Sequence, residues 1–417
     1  MEYFHSVTLD EKKCRGCITC VKRCPTEAIR VKNGKATIIK ERCIDCGECI
    51  RVCPHHAKKA VYDKLVMLEQ FEYNVALPAP ALYGQFNNLD NVDYVLNGLL
   101  DLGFDSVFEV ARAAELVSEC TRLKLQEDGP RPLISTACPA VVRLIRVRFP
   151  RLIPHLLGVK APIEIAARIA RIEAEKKTGL PPEKIGVFFI SPCPAKVTAM
   201  RQPLGTDITE VSGVLAISDV YKPLLSAMNK IKNPLQLSEC GLTGISWGYT
   251  GGEATALLSN KYLAADGMEN VIKILEEIED EKLSDVDFVE LGACVSGCVG
   301  GCLNIENPYI ARTRVRQLRK YKPVACNKMK DFDLETDDYL WHKPIEYDPV
   351  LQLDQDIQKA MMKMQEIQKI ESSLPGIDCS ACGSPSCHAF AVDVVEGTAK
   401  FSDCLIVLKN RLKDIME

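Results

Sequence analysis

One stretch of the chain, Glu290-Leu-Gly-Ala-Cys294-Val-Ser-Gly-Cys298-Val-Gly-Gly-Cys302, joins an apolar run to a turn rich in cysteine and glycine. The run 286–289 predicts a buried strand, so the cysteines would lie in the turn beyond the strand end. If this turn opens a helix, Cys294 and Cys298 share one helical face, with roughly 5–6 Å between their Cβ atoms. Two thiolates so placed could bind one metal cluster, and the neighbouring glycines would let backbone approach it closely. Taken alone, the pattern also fits a zinc knuckle or two buried thiols.

Composition excludes several classes of protein. With 417 residues the chain should form two to four domains, and its 47% hydrophobic and 26% charged content is typical of globular proteins. A net charge of −4 gives no support for binding to nucleic acid or to an anionic membrane. We find no secretory signal and no apolar run long enough to span a bilayer, and we expect a cytoplasmic protein. In that reducing setting the 20 cysteines indicate metal or redox chemistry rather than disulfides.

The N-terminal 60 residues contain a duplicated pattern, Cys-x2-Cys-x2-Cys-x3-Cys-Pro. This is the spacing of bacterial two-cluster ferredoxins, in which the fourth cysteine of each run binds the other cluster. A pair of zinc sites would instead require two CxxC pairs each. We therefore predict two [4Fe–4S] clusters: cluster 1 bound by Cys14, Cys17, Cys20 and Cys53, and cluster 2 bound by Cys43, Cys46, Cys49 and Cys24.

From about residue 66, apolar strands alternate with helical segments, which predicts a mostly parallel α/β architecture. Three strand ends in this region lead into cysteine-bearing loops, after residues 133–134, 185–190 and 286–289. Ligands of open parallel α/β sheets bind beyond the carboxyl ends of the strands. Each cysteine alone could be a buried structural thiol, but together they predict one shared metal site formed by Cys138, Cys193, Cys294 and Cys298. The other cysteines of this region are assigned structural roles: Cys120, Cys240, Cys302 and Cys326.

The C-terminal part begins with a predicted connector helix over residues 350–370. Four cysteines then bracket a second helix predicted over 386–400. Their spacing favours a third iron–sulfur cubane, with zinc as the alternative. We therefore divide the chain into a two-cluster ferredoxin-like α+β module (1–65), an α/β domain (66–345), and a connector helix with a small helical cluster domain (346–417). The predicted ligands of the third cubane are Cys379, Cys382, Cys387 and Cys404.

Three loops of the central region resemble the signature loops of the [FeFe]-hydrogenase catalytic domain. They are Ser135-Thr-Ala-Cys-Pro-Ala, Ser191-Pro-Cys-Pro-Ala-Lys and Glu290-x3-Cys-x2-Gly-Cys, and the resemblance covers about residues 66–330. A two-cluster N-terminal module is the usual accessory of that family. The C-terminal segment resembles the cluster domain of electron-transfer complexes and corrinoid iron–sulfur proteins. The combination resembles the sensory branch of the hydrogenases.

The resemblance implies an H-cluster, which is a [4Fe–4S] cubane joined through one cysteine sulfur to a di-iron unit carrying CO, CN⁻ and an azadithiolate. By position, the cubane ligands would be Cys138, Cys193, Cys294 and Cys298, with Cys298 as the bridging residue. Lys196 would correspond to the family lysine that donates a hydrogen bond to a cyanide, where a charged donor is effective.

Departures from the family pattern concern proton transfer. Ala137 stands where productive hydrogenases have a proton-relaying cysteine, and Ala199 stands where a relay glutamate would fall. A relay group must lie within hydrogen-bond reach or one water away and have a suitable pKa, so we predict slow H2 turnover. Substitute relay candidates are Glu253, Glu290 and Cys302; Glu253 ends a glycine-rich loop, 247–253, that we expect to pack on the cofactor. Two further departures replace methionines beside the di-iron unit: Ser191 and Gly292.

The predicted function is reversible H2 oxidation and proton reduction, slow, and used to sense H2 or redox state. Its expected partners are H2, protons, a ferredoxin or other redox protein and a downstream signalling protein, and a homodimer is one option. Clusters at the two ends of the chain would offer electrons two exits. One alternative is a metabolic hydrogenase with a rerouted proton path. The other is a non-enzymatic iron–sulfur carrier or assembly protein that lacks the di-iron unit.

Overall fold

The computed structural model describes residues 4–349 and 353–416, which fall into two compact units. We call Met1–Ala60 together with Asp348–Glu417 the terminal unit, and Val61–Tyr347 the central unit. The segments predicted as separate domains at the two ends of the chain therefore belong to one compact unit, and their division into two domains stays a prediction. The start of the predicted connector, 350–352, lies outside the described residues. Among the helices of the described residues, none is both long and apolar enough to cross a membrane.

Both units contain short strands. In chain order, the strands of the described residues are β1 (Val7–Leu9), β2 (Ile29–Lys32), β3 (Lys35–Ile38), β4 (Lys58–Ala60), β5 (Tyr73–Pro78), β6 (Ser106–Val107), β7 (Leu133–Ile134), β8 (Ile185–Ser191), β9 (Gly213–Ala216), β10 (Tyr262–Asp266) and β11 (Phe288–Gly292).

Helices separate most of these strands. In the same residues, the α-helices are α1 (Thr19–Lys22), α2 (Glu48–Arg51), α3 (Pro80–Tyr83), α4 (Asp93–Asp101), α5 (Val110–Lys124), α6 (Pro139–Arg148), α7 (Pro162–Thr178), α8 (Pro194–Arg201), α9 (Ile217–Met228), α10 (Leu242–Ser246), α11 (Gly252–Ala256), α12 (Met268–Glu279), α13 (Pro308–Leu318), α14 (Ile357–Ser372), α15 (Cys387–Val395) and α16 (Leu405–Met416).

The central unit contains two parallel sheets. One has the strand order β6-β5-β8-β9 and the other has the order β10-β11-β7. Strand β8 is buried along its whole length, as expected for a strand covered on both faces, and its sequence is a continuous apolar run for that reason. The predicted mostly parallel α/β class is confirmed.

The terminal unit is built from two small antiparallel pairs, β1 with β4 and β2 with β3. Its apolar core is small, and cysteine side chains form part of it beside residues such as Val7, Val21 and Ile29. A second small core, centred on Ile367 and Phe390, joins α14 to α15.

The cysteine turn after β11 differs from the helix considered above. Cys294 is followed by Ser296 and Gly297, whose φ angles of 66° and 82° are left-handed. An α-helix of L-residues cannot continue through two such positions, so a short 3-10 helix, Cys298–Gly300, forms after them. Cys294 and Cys298 therefore share a tight turn rather than a helical face.

Glycine in this turn allows backbone segments to touch each other. A Cβ on Gly297 would lie 2.5 Å from the amide nitrogen of Thr250, and one on Gly301 would lie 2.3 Å from the carbonyl oxygen of Pro192. The turn thus packs directly against the glycine-rich loop 247–253 and against the loop after β8. In the described residues these two glycines allow close contact between loops, whereas the close approach of backbone to a cluster stays a prediction.

Candidate metal centre

Three loops bring four thiols to one place in the central unit. Cys138 and Cys193 each occupy the N-cap of a helix whose first residue is proline. The fixed φ of proline suits the first helical position, so each helix begins directly after its cysteine. The effects of the other three thiols on the pKa of Cys193 show that the four side chains lie close together. Burial raises the pKa of the Cys193 thiol well above the usual value, Cys294, Cys298 and Cys138 raise it further, and Lys196 opposes them.

Burial disfavours the ionised form of the thiols in this arrangement. Desolvation raises the pKa of Cys298 to about 12, although one side of this residue is exposed, and nearby Lys196 acts in the opposite direction. Metal ligation requires thiolates, and a bound metal lowers thiol pKa values enough to supply them. The donor set therefore fits a cluster of iron, and the ligand role of the four cysteines stays a prediction.

Lys196 projects from α8 toward the first cysteine loop. Its Nζ donates a hydrogen bond to the carbonyl oxygen of Ala137 at 2.8 Å. Both residues line a small cleft, whose wall also contains Ala199, Glu164 and Trp341. The Lys196 cation and the two alanines of the predicted relay positions therefore border one cleft.

Ser191 and Gly292, the positions predicted beside the di-iron unit, end the strands β8 and β11. The Ser191 hydroxyl donates to the carbonyl oxygen of Cys193 at 3.0 Å and accepts from the amide of Cys193 at 3.2 Å, so it shapes the second cysteine loop. The nearest atom to a Cβ built on Gly292 is 3.8 Å away. Glycine is therefore not required at position 292 by close packing.

A buried hydrogen-bonded chain leads to position 137. Glu253, which is 5% exposed, accepts hydrogen bonds from the hydroxyl of Ser135 at 2.7 and 2.8 Å. The same hydroxyl accepts from the amide of Ala137 at 3.2 Å. Burial raises the pKa of Glu253 to about 8, and the neighbouring Glu290 adds to this effect. The sequence analysis quoted Ser135 in the first signature loop but assigned it no role in proton transfer, although its hydroxyl lies directly after a strand and before the cysteine.

The other relay candidates are Glu290 and Cys302. Glu290 lies in strand β11, and Cys302 lies in the third loop, which follows that strand. The carboxylate of Glu290 accepts hydrogen bonds from the amides of Gly251 and Ala254, both at 2.8 Å. It thereby fixes the backbone on both sides of Glu253. Burial raises the pKa of Glu290 to about 7, while the two amide donors oppose that rise. Cys302 follows Gly301, where the turn contacts the loop after β8.

In the terminal unit, the cysteines assigned to cluster 2 line one small cavity. Three of them come from the second run and the fourth comes from the first run, as the ferredoxin spacing predicts. The cavity is apolar apart from a few groups such as Asp45 and Glu48. Its predicted ligands are Cys24, Cys43, Cys46 and Cys49.

The cysteines assigned to cluster 1 lie around Cys20. Burial raises the pKa of Cys20, and the thiols of Cys17, Cys53 and Cys14 contribute in the same direction, while Lys58 opposes them. Lys58 is only 3% exposed, and its Nζ has no hydrogen-bond partner within the described residues. A buried ammonium is costly unless an anion faces it. An anionic iron–sulfur cluster held by four thiolates fits this position.

The C-terminal cysteines also line one small cavity. Burial raises the pKa of Cys382, and Cys404 and Cys379 contribute to the rise. A compact set of thiols of this kind suits a thiolate-ligated cluster. The cavity is bordered by all four predicted ligands, Cys379, Cys382, Cys387 and Cys404.

Protein-family models match most of the chain. The model of the iron only hydrogenase large subunit, C-terminal domain, matches residues 72–258 and 248–302. A 4Fe-4S dicluster domain matches residues 6–54, and an Fe-S cluster model matches residues 374–406.

Individual relatives are distant. Iron hydrogenase 1 of Clostridium pasteurianum is 26% identical over 371 residues, covering 71% of this chain and 64% of its own length. The chain thus spans less than two thirds of that relative. The cytosolic Fe-S cluster assembly factor NAR1 of Botryotinia fuckeliana is 27% identical over 101 residues, covering 24% of this chain and 18% of its own.

Solved structures give the fold. A single-residue variant of the [FeFe]-hydrogenase HydA1 from Chlamydomonas reinhardtii superposes with a TM-score of 0.53 at 17% identity, covering 68% of this chain and 98% of that one. The central unit therefore has the fold of the [FeFe]-hydrogenase catalytic domain. Because the large-subunit model covers more than half of the sequence, the chain belongs to the iron-only hydrogenase family and is an iron–sulfur protein with additional cluster domains.

Proposed function

We propose that the chain binds an H-cluster and catalyses reversible H2 oxidation and proton reduction at a low rate, as a sensor of H2 or of redox state. The observation that carries the proposal is the position of Lys196. Its ammonium contacts Ala137 and opposes the raised pKa values of Cys193 and Cys298, so it lies close to the thiol cluster.

When bound, the H-cluster would supply the iron centre at which H2 and protons are interconverted. Lys196 would donate a hydrogen bond to a cyanide, and such a charged donor is more effective in a site that excludes water. The cubane would be held by Cys138, Cys193, Cys294 and Cys298, the last bridging to the di-iron unit.

Protons would approach this centre through Glu253 and Ser135 rather than through a titratable side chain at position 137. The hydroxyl of Ser135 can donate and accept, and it touches both the Glu253 carboxyl and the amide of Ala137. Because burial raises the pKa of Glu253 to about 8, this carboxyl can exchange a proton near neutral pH. Glu290 would act as a positioning residue for Glu253 through its two amide contacts.

The test is an infrared spectrum of the anaerobic protein after loading with the di-iron unit. We expect CO and CN⁻ bands together with slow H2 turnover. Lys196→Met should shift or remove the cyanide bands, whereas Lys160→Met is the matched control, since Lys160 donates to the carbonyl oxygen of Asp338 instead. Retention of the cubane without CO or CN⁻ bands, and without H2 turnover, would contradict the proposal.

That contradictory outcome would favour the second candidate function, a non-enzymatic iron–sulfur carrier. The likeness to an Fe-S cluster assembly factor and the alanine at position 137 both favour it. A metabolic hydrogenase with a rerouted proton path would instead give the infrared bands together with fast turnover. We further propose a cytoplasmic location, a ferredoxin or other redox protein as the electron partner, and a downstream signalling protein.

A further inference from the structure

We propose that the C-terminal cluster segment is docked on the ferredoxin-like module, and that its cluster exchanges electrons directly with cluster 2. The two ends of the chain would then form one electron port instead of two independent exits. The inference rests on the iron–sulfur clusters of the proposed function, but it does not require the di-iron unit.

The first contact of this docking is between backbones. The amide of Val31, in β2, donates to the carbonyl oxygen of Gly383 at 2.9 Å. Gly383 has a left-handed φ of 89°, and a Cβ at this position would lie 1.9 Å from the carbonyl oxygen of Val31. The free edge of β2 is thus covered by the C-terminal segment, and only glycine permits this close approach.

A buried ion pair forms the second contact. Nε of Arg30 donates to Oδ2 of Asp393 at 2.6 Å, and each side chain is 5% exposed. Asp393 also accepts from the hydroxyl of Ser384 at 2.6 Å, and Arg30 donates to the carbonyl oxygen of Glu27 at 2.7 Å. Breaking such a pair leaves an uncompensated buried charge. The pair therefore fixes the position of the C-terminal segment on the module.

The docking contacts lie directly beside the predicted cluster ligands. Glu27 follows the cluster 2 ligand Cys24 in a turn, in which its amide donates to the carbonyl oxygen of Cys24 at 3.2 Å. The hydroxyl of Ser386 donates to Oε1 of Glu27 at 3.1 Å, and Ser386 immediately precedes Cys387. Cys382 immediately precedes Gly383 on the C-terminal side. Ligands of both sites therefore flank one interface.

A short route therefore joins the predicted ligands of the two clusters, from Cys24 through the turn to Glu27 and through its hydrogen bond with Ser386 to Cys387. The step between the two clusters is a single electron transfer, in which the reduced cluster loses one electron and the oxidised cluster gains it. No bond breaks and no proton is needed. A freely tethered C-terminal domain would not need a covered strand edge or a buried ion pair.

Two glycine substitutions test the proposal. Gly383→Ala places a methyl group against Val31, whereas Gly376→Ala is the matched control, since Gly376 also has a positive φ of 65° but no atom within 4 Å of its Cβ. Asp393→Asn is a second variant that removes the buried charge and keeps the side-chain shape. Each protein is reconstituted in full, its iron and sulfide are counted, and the reduced clusters are examined by EPR and by hydrogen exchange at Val31.

We expect the wild type and Gly376→Ala to show a spin–spin interaction between cluster 2 and the C-terminal cluster. Gly383→Ala and Asp393→Asn should lose that interaction and expose the Val31 amide, with cluster content unchanged.

Magnetically isolated clusters in the wild type would overturn the proposal. An unchanged interaction in a variant whose Val31 amide has become exposed would also overturn it. If Gly383→Ala fails to retain its clusters or its Val31 amide stays protected, Asp393→Asn decides the outcome. The EPR test does not involve the di-iron unit. A failed infrared test of hydrogenase function would therefore not decide whether the two clusters exchange electrons.

Discussion

The side chain at position 137 offers the most direct test of the proton path. We expect Ala137→Cys to raise H2 turnover on the order of tenfold or more, since a titratable thiol would then border the cleft that also contains Lys196. Ala137→Ser is the matched control, because its hydroxyl has nearly the same size but does not ionise near neutral pH. Steady-state H2 production measured from pH 5 to 9 distinguishes them. An unchanged rate and pH profile in Ala137→Cys would exclude a relay defect at this position.

The buried carboxyl of Glu253 should affect both rate and stability. Its pKa is raised from 4.5 to about 8 in the folded chain. Between these pH values the folded state holds a proton that the unfolded state has lost, so the free energy of unfolding falls as pH rises through this window. The slope is at most about 1.4 kcal/mol per pH unit.

Glu253→Gln should therefore flatten the dependence of Tm on pH from 5 to 9, and it should lower H2 turnover on the order of tenfold or more if Glu253 relays protons. Glu183→Gln, at an exposed carboxylate on the surface of the central unit, is the control. A flattened Tm profile with unchanged turnover would remove Glu253 from the proton path and leave it as a structural carboxyl.

Lys58 should control the reduction potential of cluster 1. A cation beside a cluster stabilises the more negative reduced form, so Lys58→Met should lower the midpoint potential, by on the order of 50–100 mV. The neighbouring Lys59 is the matched control, because its Nζ pairs with Asp10 at 2.8 Å on the exposed side of the same strand. EPR-monitored redox titration measures both clusters in one sample. Equal shifts in Lys58→Met and Lys59→Met would refute the assignment.

At the scale of the elements, cysteine spacing and strand ends predicted which thiols lie together in the candidate site, while their role as ligands stays a prediction. Cluster ligands follow each other closely in sequence, and the carboxyl ends of parallel strands point to the same crevice. The conformation of the third loop was not predicted, because Cys294 and Cys298 allowed either a helix or a turn. The left-handed Ser296 and Gly297 decided it, and both residues contact the distant loop 247–253.

Long-range contacts between side chains were also absent from the sequence predictions. Ser135 and Glu253 are 118 residues apart, and Arg30 and Asp393 are 363 residues apart. Neither pair belongs to a motif, so only the packing of the elements brings its members together. The sequence identified Glu253 as a relay candidate and identified the cluster segments at the two ends of the chain. It did not predict that Glu253 contacts Ser135, or that Arg30 contacts Asp393.

Packing between the second and third loops should be sensitive to a single methyl group. Gly301→Ala would place a Cβ 2.3 Å from the carbonyl oxygen of Pro192, which should destabilise the chain by about 1–3 kcal/mol and separate Cys193 from Cys298. Gly129→Ala is the control, because the nearest atom to a Cβ at position 129 is 3.9 Å away. Iron content and chemical denaturation measure the effect. Full iron loading with unchanged stability would show that the loops tolerate separation.

At the scale of the whole molecule, the two units should respond differently to loss of their clusters. The core of the terminal unit includes cysteine side chains beside few apolar ones, and its strands contain at most four residues. The central unit instead has a large apolar core around β5 and β8. Small domains that depend on metal lose their folding free energy when the metal is removed.

Oxidative removal of all clusters should therefore unfold the terminal unit and leave the parallel sheets of the central unit folded. Hydrogen exchange should show amides of β2 and β3 losing protection by several orders of magnitude, while amides of β5 and β8 stay protected. Reconstitution with iron and sulfide should restore the protection of the β2 and β3 amides, which controls for irreversible damage. Equal protection of β2 and β3 in the apoprotein would mean that the terminal unit folds without its clusters, and the buried ammonium of Lys58 would then require another anionic partner.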